Sequence, residues 1–490
     1  MTLPPLAAFI AWIPLSLVFF RRFPIRVAIL LTFLGGWAVL PVGRFDGQPS
    51  PYWILGNGLY TDYFLTKATV TSLAGLLWAL VFDGKSFRAF RLTFWDLPML
   101  VWCLVPLLSA IANPEDFADG MIGELYQILA WGVPWVLGRI YFSDTASLRL
   151  AAKAFVIAGL LYVPVCLIEI AMGPQIYAHL YGYQPYRWVR AQRYIGYRPI
   201  GLLETGTQLG IWMSTSALVA VWLWLRRTVD RVLGIPAGWA AGILLATTLL
   251  CQSGGSVVLL LALLPFVFVS RRYFPRICAV LLVFGIVLFA GLRLTNAMSV
   301  RTLLKRSAMM RSGAAFLKNI GRGSLMMRLD SDERTVDLAL AQPILGSNQW
   351  YWWRDSGLRP SGLWLLAFGM YGIFGLLALE ALQILPIVRV VWFPVARSDI
   401  EDLNLRHAFV AVVLMTAIDN LLNNSMILPL LVVMGGMSTW EAAASALHVE
   451  IESPGEVLSG ETRPDRTLPA PGTIEGPVLR MIDATDREQP

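Results

Sequence analysis

From Leu6 onward the chain runs as long apolar stretches separated by short polar turns, and stretches of this length predict helices rather than strands. The runs fall at Leu6–Phe20, Val27–Val42, Phe64–Val81, Leu97–Asn113, Met121–Phe142, Ala152–Met172 and Leu202–Leu225. They continue at Leu233–Cys251, Val257–Ser270, Ile277–Leu292, Gly362–Val388, Ala408–Leu422 and Met426–Trp440. The predicted fold is all-α, a polytopic membrane bundle of about 12–13 transmembrane helices over residues 1–443. Beyond Glu441 the run of Glu, Pro, Thr, Asp and Gly cannot bury enough surface to offset chain entropy, so 444–490 is predicted to be a disordered cytoplasmic tail.

Composition agrees with this pattern. With 57% hydrophobic and only 14% charged residues, the chain lies outside the range of soluble proteins. Leu6–Phe20 lacks both a basic leader and a small-residue cleavage site, so it is expected to remain as the first span. The four cysteines sit singly in apolar spans, without the spacing of a metal site or a disulfide framework, and are read as packing residues.

Basic residues in short loops set orientation. Arg21/Arg22/Arg26, Lys85/Arg88/Arg91, Arg149/Lys153, Arg226/Arg227/Arg231, Arg271/Arg272/Arg276 and Arg389/Arg397/Arg406 fall on alternate turns, which are therefore cytoplasmic. Two segments on the opposite side break the rule. One is Pro174–Pro199, carrying Arg187, Arg190, Arg193 and Arg198; the other is the long Arg293–Arg359 stretch. Guanidinium groups bind phosphate bidentately and stay charged at any physiological pH, so such clusters beside an outer leaflet suit a lipid diphosphate; contact with anionic headgroups is the plainer reading. Tyr177, Tyr181, Tyr183, Tyr186, Trp188, Tyr194 and Tyr197 interleave the first cluster, either as sugar-stacking faces or as an ordinary interfacial belt.

In the long segment, Ala297–Asn319 has a basic amphipathic pattern suited to the bilayer surface. A second helix is predicted to begin near Ser331, with Asp330-Ser-Asp332 read as its N-cap region, and to end at Pro343. Lys67, Glu124, Glu169, Glu204 and Asp419 map to the outer ends of spans, where an ionisable group is first a functional candidate and otherwise a cap or interfacial residue. His179 is the only histidine on that side, and its ordinary pKa suits proton transfer; Glu204 and Asp355, beside Arg354, are alternative bases.

The order of three stretches resembles the O-antigen ligase and O-antigen polymerase superfamily. They are Arg193-Tyr-Ile-Gly196 running through Arg198-Pro199 into Glu204-Thr-Gly-Thr-Gln-Leu-Gly210; Ser324-Leu-Met-Met-Arg328 followed by Gln342-Pro-Ile-Leu-Gly346; and Ser361–Gly375 with its terminal Gly-x-x-Gly. They cover the middle and C-terminal two thirds of the membrane domain. The resemblance implies a class C glycosyltransferase-like fold in the bacterial inner membrane. It also implies polymerisation or ligation of an undecaprenyl-diphosphate-linked glycan at the outer face.

On this reading Arg193, Arg328, His179 and Glu204 are the catalytic candidates, and Arg187, Arg190, Arg198, Arg354, Asp355 and Tyr197 would bind substrate. No nucleotide, metal or other cofactor is required, and no nucleic acid is expected as a partner. The expected partners are the lipid-linked glycan, membrane lipids and chain-length or envelope-assembly proteins. Ser361-Gly362 stands where many ligases carry His-Asn, and Gln252-Ser-Gly-Gly-Ser256 lacks a basic residue common in the family, which favours a polymerase-like or divergent transferase. Two other readings stay open: a transporter or flippase of lipid-linked glycans, and a non-catalytic component of an envelope assembly complex. A flippase needs charge along a path through the membrane, whereas here charge gathers on one side.

Overall fold

The computed structural model describes residues 3–42, 55, 64–113, 117–183, 192–268, 274–295, 307–309, 311–312, 315, 324–393 and 400–438. The 444–490 tail and most of the basic helix expected over 297–319 lie outside these residues.

Each of the apolar runs is helical. The bundle opens with α1 (Leu3–Arg22), α2 (Ile25–Val39), α3 (Lys67–Ala89) and α4 (Leu97–Ala112). Next, α5 (Phe117–Gln127) passes through a π-helical turn at Ile128–Gly132 into α6 (Val133–Tyr141). Pro134 cannot donate to the carbonyl four residues back, which is the local cause of the turn within an otherwise continuous run. Then come α7 (Thr145–Met172), the short α8 (Ile176–Tyr181), α9 (Gly206–Leu225), α10 (Ala237–Leu250), α11 (Gly254–Leu263) and α12 (Pro265–Phe268). The chain continues through α13 (Phe274–Leu294), α14 (Ser324–Ala339), α15 (Leu363–Trp392), α16 (Ile400–Asn420) and α17 (Leu428–Met437). Among the described residues the only named strands, Arg231–Val232 and Ile235–Pro236, form one antiparallel hairpin.

Six helices are long and apolar enough to cross a bilayer: α1, α4 with its preceding turn, α7, α9, α13 and α15. Four shorter apolar helices, α2, α10, α11 with α12, and α17, accompany them. The protein is therefore a multi-pass membrane helix bundle. The expected 12–13 crossings exceed the six that length and composition alone support. The difference lies in the shorter runs and in helices such as α3, which carries Asp83, Lys85 and Arg88 in its last turns.

Burial separates the centre from the rim. The spanning window of α9 is 89% buried and that of α13 only 22% buried. An all-round apolar helix such as α9 belongs in the middle of a bundle, and Trp212 and Trp222 are fully enclosed there. Contacts also divide the turns into two poles. At one, Arg26 pairs with Asp144 (2.6 Å), Arg139 with Asp96 (2.7 Å), and Arg276 donates to the Val391 carbonyl (3.0 Å). At the other, Lys67 donates to the Leu202 carbonyl (3.2 Å), Tyr177 to the Val42 carbonyl (2.7 Å), and the Leu363 amide to the Asn423 carbonyl (2.9 Å). These are the two groups of turns that the charge alternation distinguishes.

The second helix expected within Arg293–Arg359 differs from expectation. It starts at Ser324 and ends at Ala339, so Asp332 lies within it rather than at its N-cap. Ser331 and Asp332 face other chain segments instead: the Ser331 hydroxyl donates to the Arg359 carbonyl (2.7 Å), and Asp332 Oδ1 accepts from the Ser361 amide (2.6 Å).

Two of the short glycine motifs interlock. α15 is broken at Gly372, whose φ of +64° and ψ of −158° are open to glycine, and the Pro343–Asn348 segment fills the break. The Ile373 amide donates to the Pro343 carbonyl (2.8 Å) and the Asn348 amide to the Met370 carbonyl (2.9 Å), so backbone groups released by the kink are satisfied again. Gly346, at φ +69°, approaches so closely that a Cβ would stand 2.5 Å from the Met370 backbone. Gly346→Ala is thus expected to cost about 1–3 kcal/mol in backbone strain alone and to lower the unfolding temperature in detergent. Gly242→Ala, in open space on α10, should leave that temperature unchanged or slightly raised. Equal unfolding temperatures for wild type and Gly346→Ala would contradict the interlock.

Candidate functional site

The arginine segment is attached to the end of α7. Gln192 and Tyr197 form an antiparallel bridge, and the Arg193 amide donates to the Gly196 carbonyl (2.9 Å). The Tyr197 amide donates to the Ile170 carbonyl (2.9 Å), and a Cβ on Gly196 would sit 2.1 Å from that same oxygen at φ +60°, so only glycine fits the turn. Gln252 holds the hairpin from the opposite side through its amide, which donates to the Ile195 carbonyl (2.6 Å) and accepts from the Ile195 amide (3.3 Å). Arg193 itself is exposed, with Nη1 donating to the Gln192 carbonyl (2.9 Å).

Five residues on, Arg198 turns inward. Its Nη2 donates to the hydroxyls of Thr207 and Ser253, each at 3.0 Å, and the Ser253 hydroxyl meets that of Ser256 at 2.8 Å. Thr207 lies in the first turn of α9, which Thr205 caps by accepting from the Gln208 amide (3.1 Å). Ser253 precedes α11, so Arg198 links the starts of two helices.

Arg198 lines a cavity of about 470 Å³ together with Arg328, Asp419 and Asn423. Arg328 comes from α14, donates to Asn423 Oδ1, and lies 130 residues beyond Arg198 (328 minus 198). Asn423 Nδ2 in turn donates to Asp419 Oδ1 (2.7 Å). The amide therefore stands between a cation and an anion, with its oxygen toward the guanidinium and its nitrogen toward the carboxylate. Asp419 is 3% exposed. Its Oδ2 meets no donor at hydrogen-bonding geometry, although the Ser425 hydroxyl is near enough to affect the carboxylate. Val258, Leu259, Leu325, Ile418 and Leu422 supply an apolar wall.

The start of α15 holds both Arg328 and Asn423 in place. Asp332, one turn beyond Arg328, accepts from the Ser361 amide just before α15, and the Leu363 amide at its first turn binds the Asn423 carbonyl. Arg293 from α13 braces α14, donating to the Leu329 carbonyl (2.6 Å) and lying 3.6 Å from Glu333.

The other expected site residues lie elsewhere. His179 is exposed on α8, with Nδ1 2.8 Å from the Gln175 carbonyl, and does not line the cavity. Glu204 is buried, its charge acts on Lys67 and Tyr126, and it too lies outside the cavity lining. Tyr197 is half-buried and contributes its backbone amide. Arg354 and Asp355 occupy an exposed 3-10 turn, where the Arg354 guanidinium covers the Tyr351 ring at 4.5 Å. Arg187 and Arg190 fall outside the described residues.

Of the sequence candidates, Arg198 and Arg328 meet in one cavity. Asn423, Thr207 and Ser253 join them without having been named as site residues, and Asp419 joins them from the ionisable residues singled out at span ends. Asp419 carried a signal, as an acid at the end of an apolar run followed by an Asn-rich turn.

Asp332 also marks the site by its titration. Burial pushes its carboxyl up from 3.8 to about 6, while the Ser361 and Gly362 amides and the Arg293 and Arg328 charges pull it down less strongly. A carboxyl raised in the folded state favours its protonated form, so this stabilisation is full below 3.8 and is lost as pH rises through about 6. Between pH ~4 and ~7 the wild type is expected to lose on the order of 3 kcal/mol more stability than Asp332→Asn, read from unfolding in detergent. Parallel pH profiles for the two proteins would contradict this. Comparison of the chain with protein-family models, with curated proteins and with solved structures finds no match.

Proposed function

We propose that this protein is a glycosyltransferase of the O-antigen polymerase or ligase kind. In this reading it acts on an undecaprenyl-diphosphate-linked glycan at the outer face of the bacterial inner membrane. The single observation that carries the reading is the convergence of Arg198 and Arg328 on one cavity that also holds a buried carboxylate and an apolar wall. An amphiphile with an anionic head and a hydrocarbon tail needs such a site. Val258 lines the cavity while remaining 64% exposed on the flank of the bundle, so a polyprenyl chain can lie against it from the bilayer side.

The chemistry follows from the charges. An acceptor hydroxyl attacks the anomeric carbon; the new oxygen–carbon bond forms as the bond from that carbon to the phosphate oxygen breaks, and undecaprenyl diphosphate leaves with the electron pair. Negative charge grows on the departing diphosphate, where Arg198, Arg328 and the N-terminal end of α11 at Gly254 and Gly255 favour it. The hydroxyl proton goes to Asp419, which Asn423 holds by one oxygen. A direct Arg328–Asp419 ion pair would occupy both groups; the intervening Asn423 amide leaves the guanidinium available to phosphate and the carboxylate available to the proton.

A carrier of lipid-linked glycans would need polar groups along a route from pole to pole. Arg198, Arg328 and Asp419 gather in one cavity, which favours transfer over transport.

Arg198→Ala and Arg328→Ala are each expected to lower glycan transfer by about 100-fold or more, as when a transition-state donor is removed. The corresponding lysine variants should stay defective because they lack the bidentate fork. Asp419→Asn should reduce turnover while sparing donor binding. Surface glycan and membrane protein level, measured together in cells depending on each variant, check this. Full glycan production by Arg328→Ala at normal protein level would reject the reading.

A further inference from the structure

We infer that Glu169 is a positioning residue for Arg198: its buried carboxylate fixes the backbone bend from which the guanidinium enters the cavity. The inference rests on the proposed diphosphate site and extends it to a residue outside the cavity lining.

Glu169 lies near the end of α7 and is fully buried. Its Oε2 accepts from two successive amides, Ile200 (2.8 Å) and Gly201 (2.7 Å), two and three residues after Arg198. Around it, Tyr162 from the same helix accepts from the Leu202 amide (2.8 Å), and Lys67 from α3 donates to the Leu202 carbonyl (3.2 Å) and the Trp37 carbonyl (3.3 Å). The stretch from Tyr197 to Leu202 thus has no regular secondary structure of its own, yet its Tyr197, Ile200, Gly201 and Leu202 amides and its Leu202 carbonyl are met by buried side chains of α3 and α7 and by the Ile170 carbonyl.

Burying a carboxylate is unfavourable by several kcal/mol unless donors satisfy it; two amides converging on Oε2 satisfy that oxygen with charge-assisted bonds, while Oε1 meets no donor at hydrogen-bonding geometry. A water molecule in that place would satisfy the amides equally but would leave the bend free to shift. A shift of the bend moves Arg198, because Pro199 is the only residue between the guanidinium-bearing residue and the clamped amides. Near the transition state, misplacement of an anion-binding group by about 1 Å is costly. Glu169 touches no cavity atom, so its effect must pass through Arg198.

The test uses the full-length protein in detergent micelles and inorganic pyrophosphate as the probe, titrated by calorimetry without magnesium. Glu169→Ala is expected to weaken pyrophosphate binding about tenfold, the loss that follows from removing charged hydrogen bonds. Glu169→Gln, which keeps an acceptor oxygen, should recover most of it. In an Arg198→Ala background Glu169→Ala should cause no further loss, whereas in an Arg328→Ala background the tenfold loss should persist. A general folding defect would weaken binding in both backgrounds. Unchanged affinity in Glu169→Ala, or an equal further loss beside Arg198→Ala, overturns the inference. Amide hydrogen exchange over Ile200–Leu202 is read in parallel and should rise in Glu169→Ala. If wild type binds no pyrophosphate and exchange rises, the diphosphate reading falls and the clamp stands; unchanged exchange overturns the clamp whether or not pyrophosphate binds.

Discussion

Every backbone N–H and C=O at bilayer depth has to find its partner inside the protein, and this constraint shapes the site more than any single contact. Helices meet it automatically. The stretch from Gln192 to Thr205 does not, and Glu169, Tyr162, Lys67 and Gln252 take up backbone groups of Ile195, Ile200, Gly201 and Leu202 within it. The same rule operates at the kink of α15, where the Pro343–Asn348 segment supplies the partners that Gly372 releases. The two arginines of the cavity emerge from such backbone or from helices fastened to it.

A second consequence is the separation of opposite charges. Two guanidiniums and a carboxylate in one partly apolar cavity would ordinarily collapse into ion pairs, since Coulomb attraction grows as the medium becomes less polar. Arg198 is instead directed at two hydroxyls, and Arg328 at the oxygen of Asn423. These neutral groups orient both guanidiniums. At the opposite pole Arg139 and Asp96 pair directly at 2.7 Å, as a purely structural ion pair would.

Much of the architecture was legible in the sequence because it depends on local pattern. The apolar runs gave helices at every predicted position, and the alternation of basic turns matches the two sets of turns that touch. The anomalous arginine segments, too, were visible as departures from that alternation. What local pattern does not carry is direction. Arg193 and Arg198 lie five residues apart in the same loop, yet one is exposed and the other lines the cavity, because the Gly196 turn reverses the chain between them and the Glu169 clamp holds the backbone just beyond Arg198. Likewise Ser331 and Asp332 have the composition of a helix cap. Asp332 instead holds the segment that leads into α15, through the Ser361 amide 29 residues away in sequence. The pairing of Asp419 with Asn423 follows helical spacing and could have been anticipated; its meeting with Arg198 could not.

The central claim is that Arg198 and Arg328 together hold the diphosphate of a polyprenyl-linked substrate. An electron cryomicroscopy map of the full-length protein with undecaprenyl diphosphate bound tests it most directly. The account predicts phosphate density within hydrogen-bonding distance of both guanidiniums, with the polyprenyl chain running past Val258 and Leu259 toward the bilayer. Diphosphate density at another place on the protein, or against one arginine with the other turned away, would contradict it.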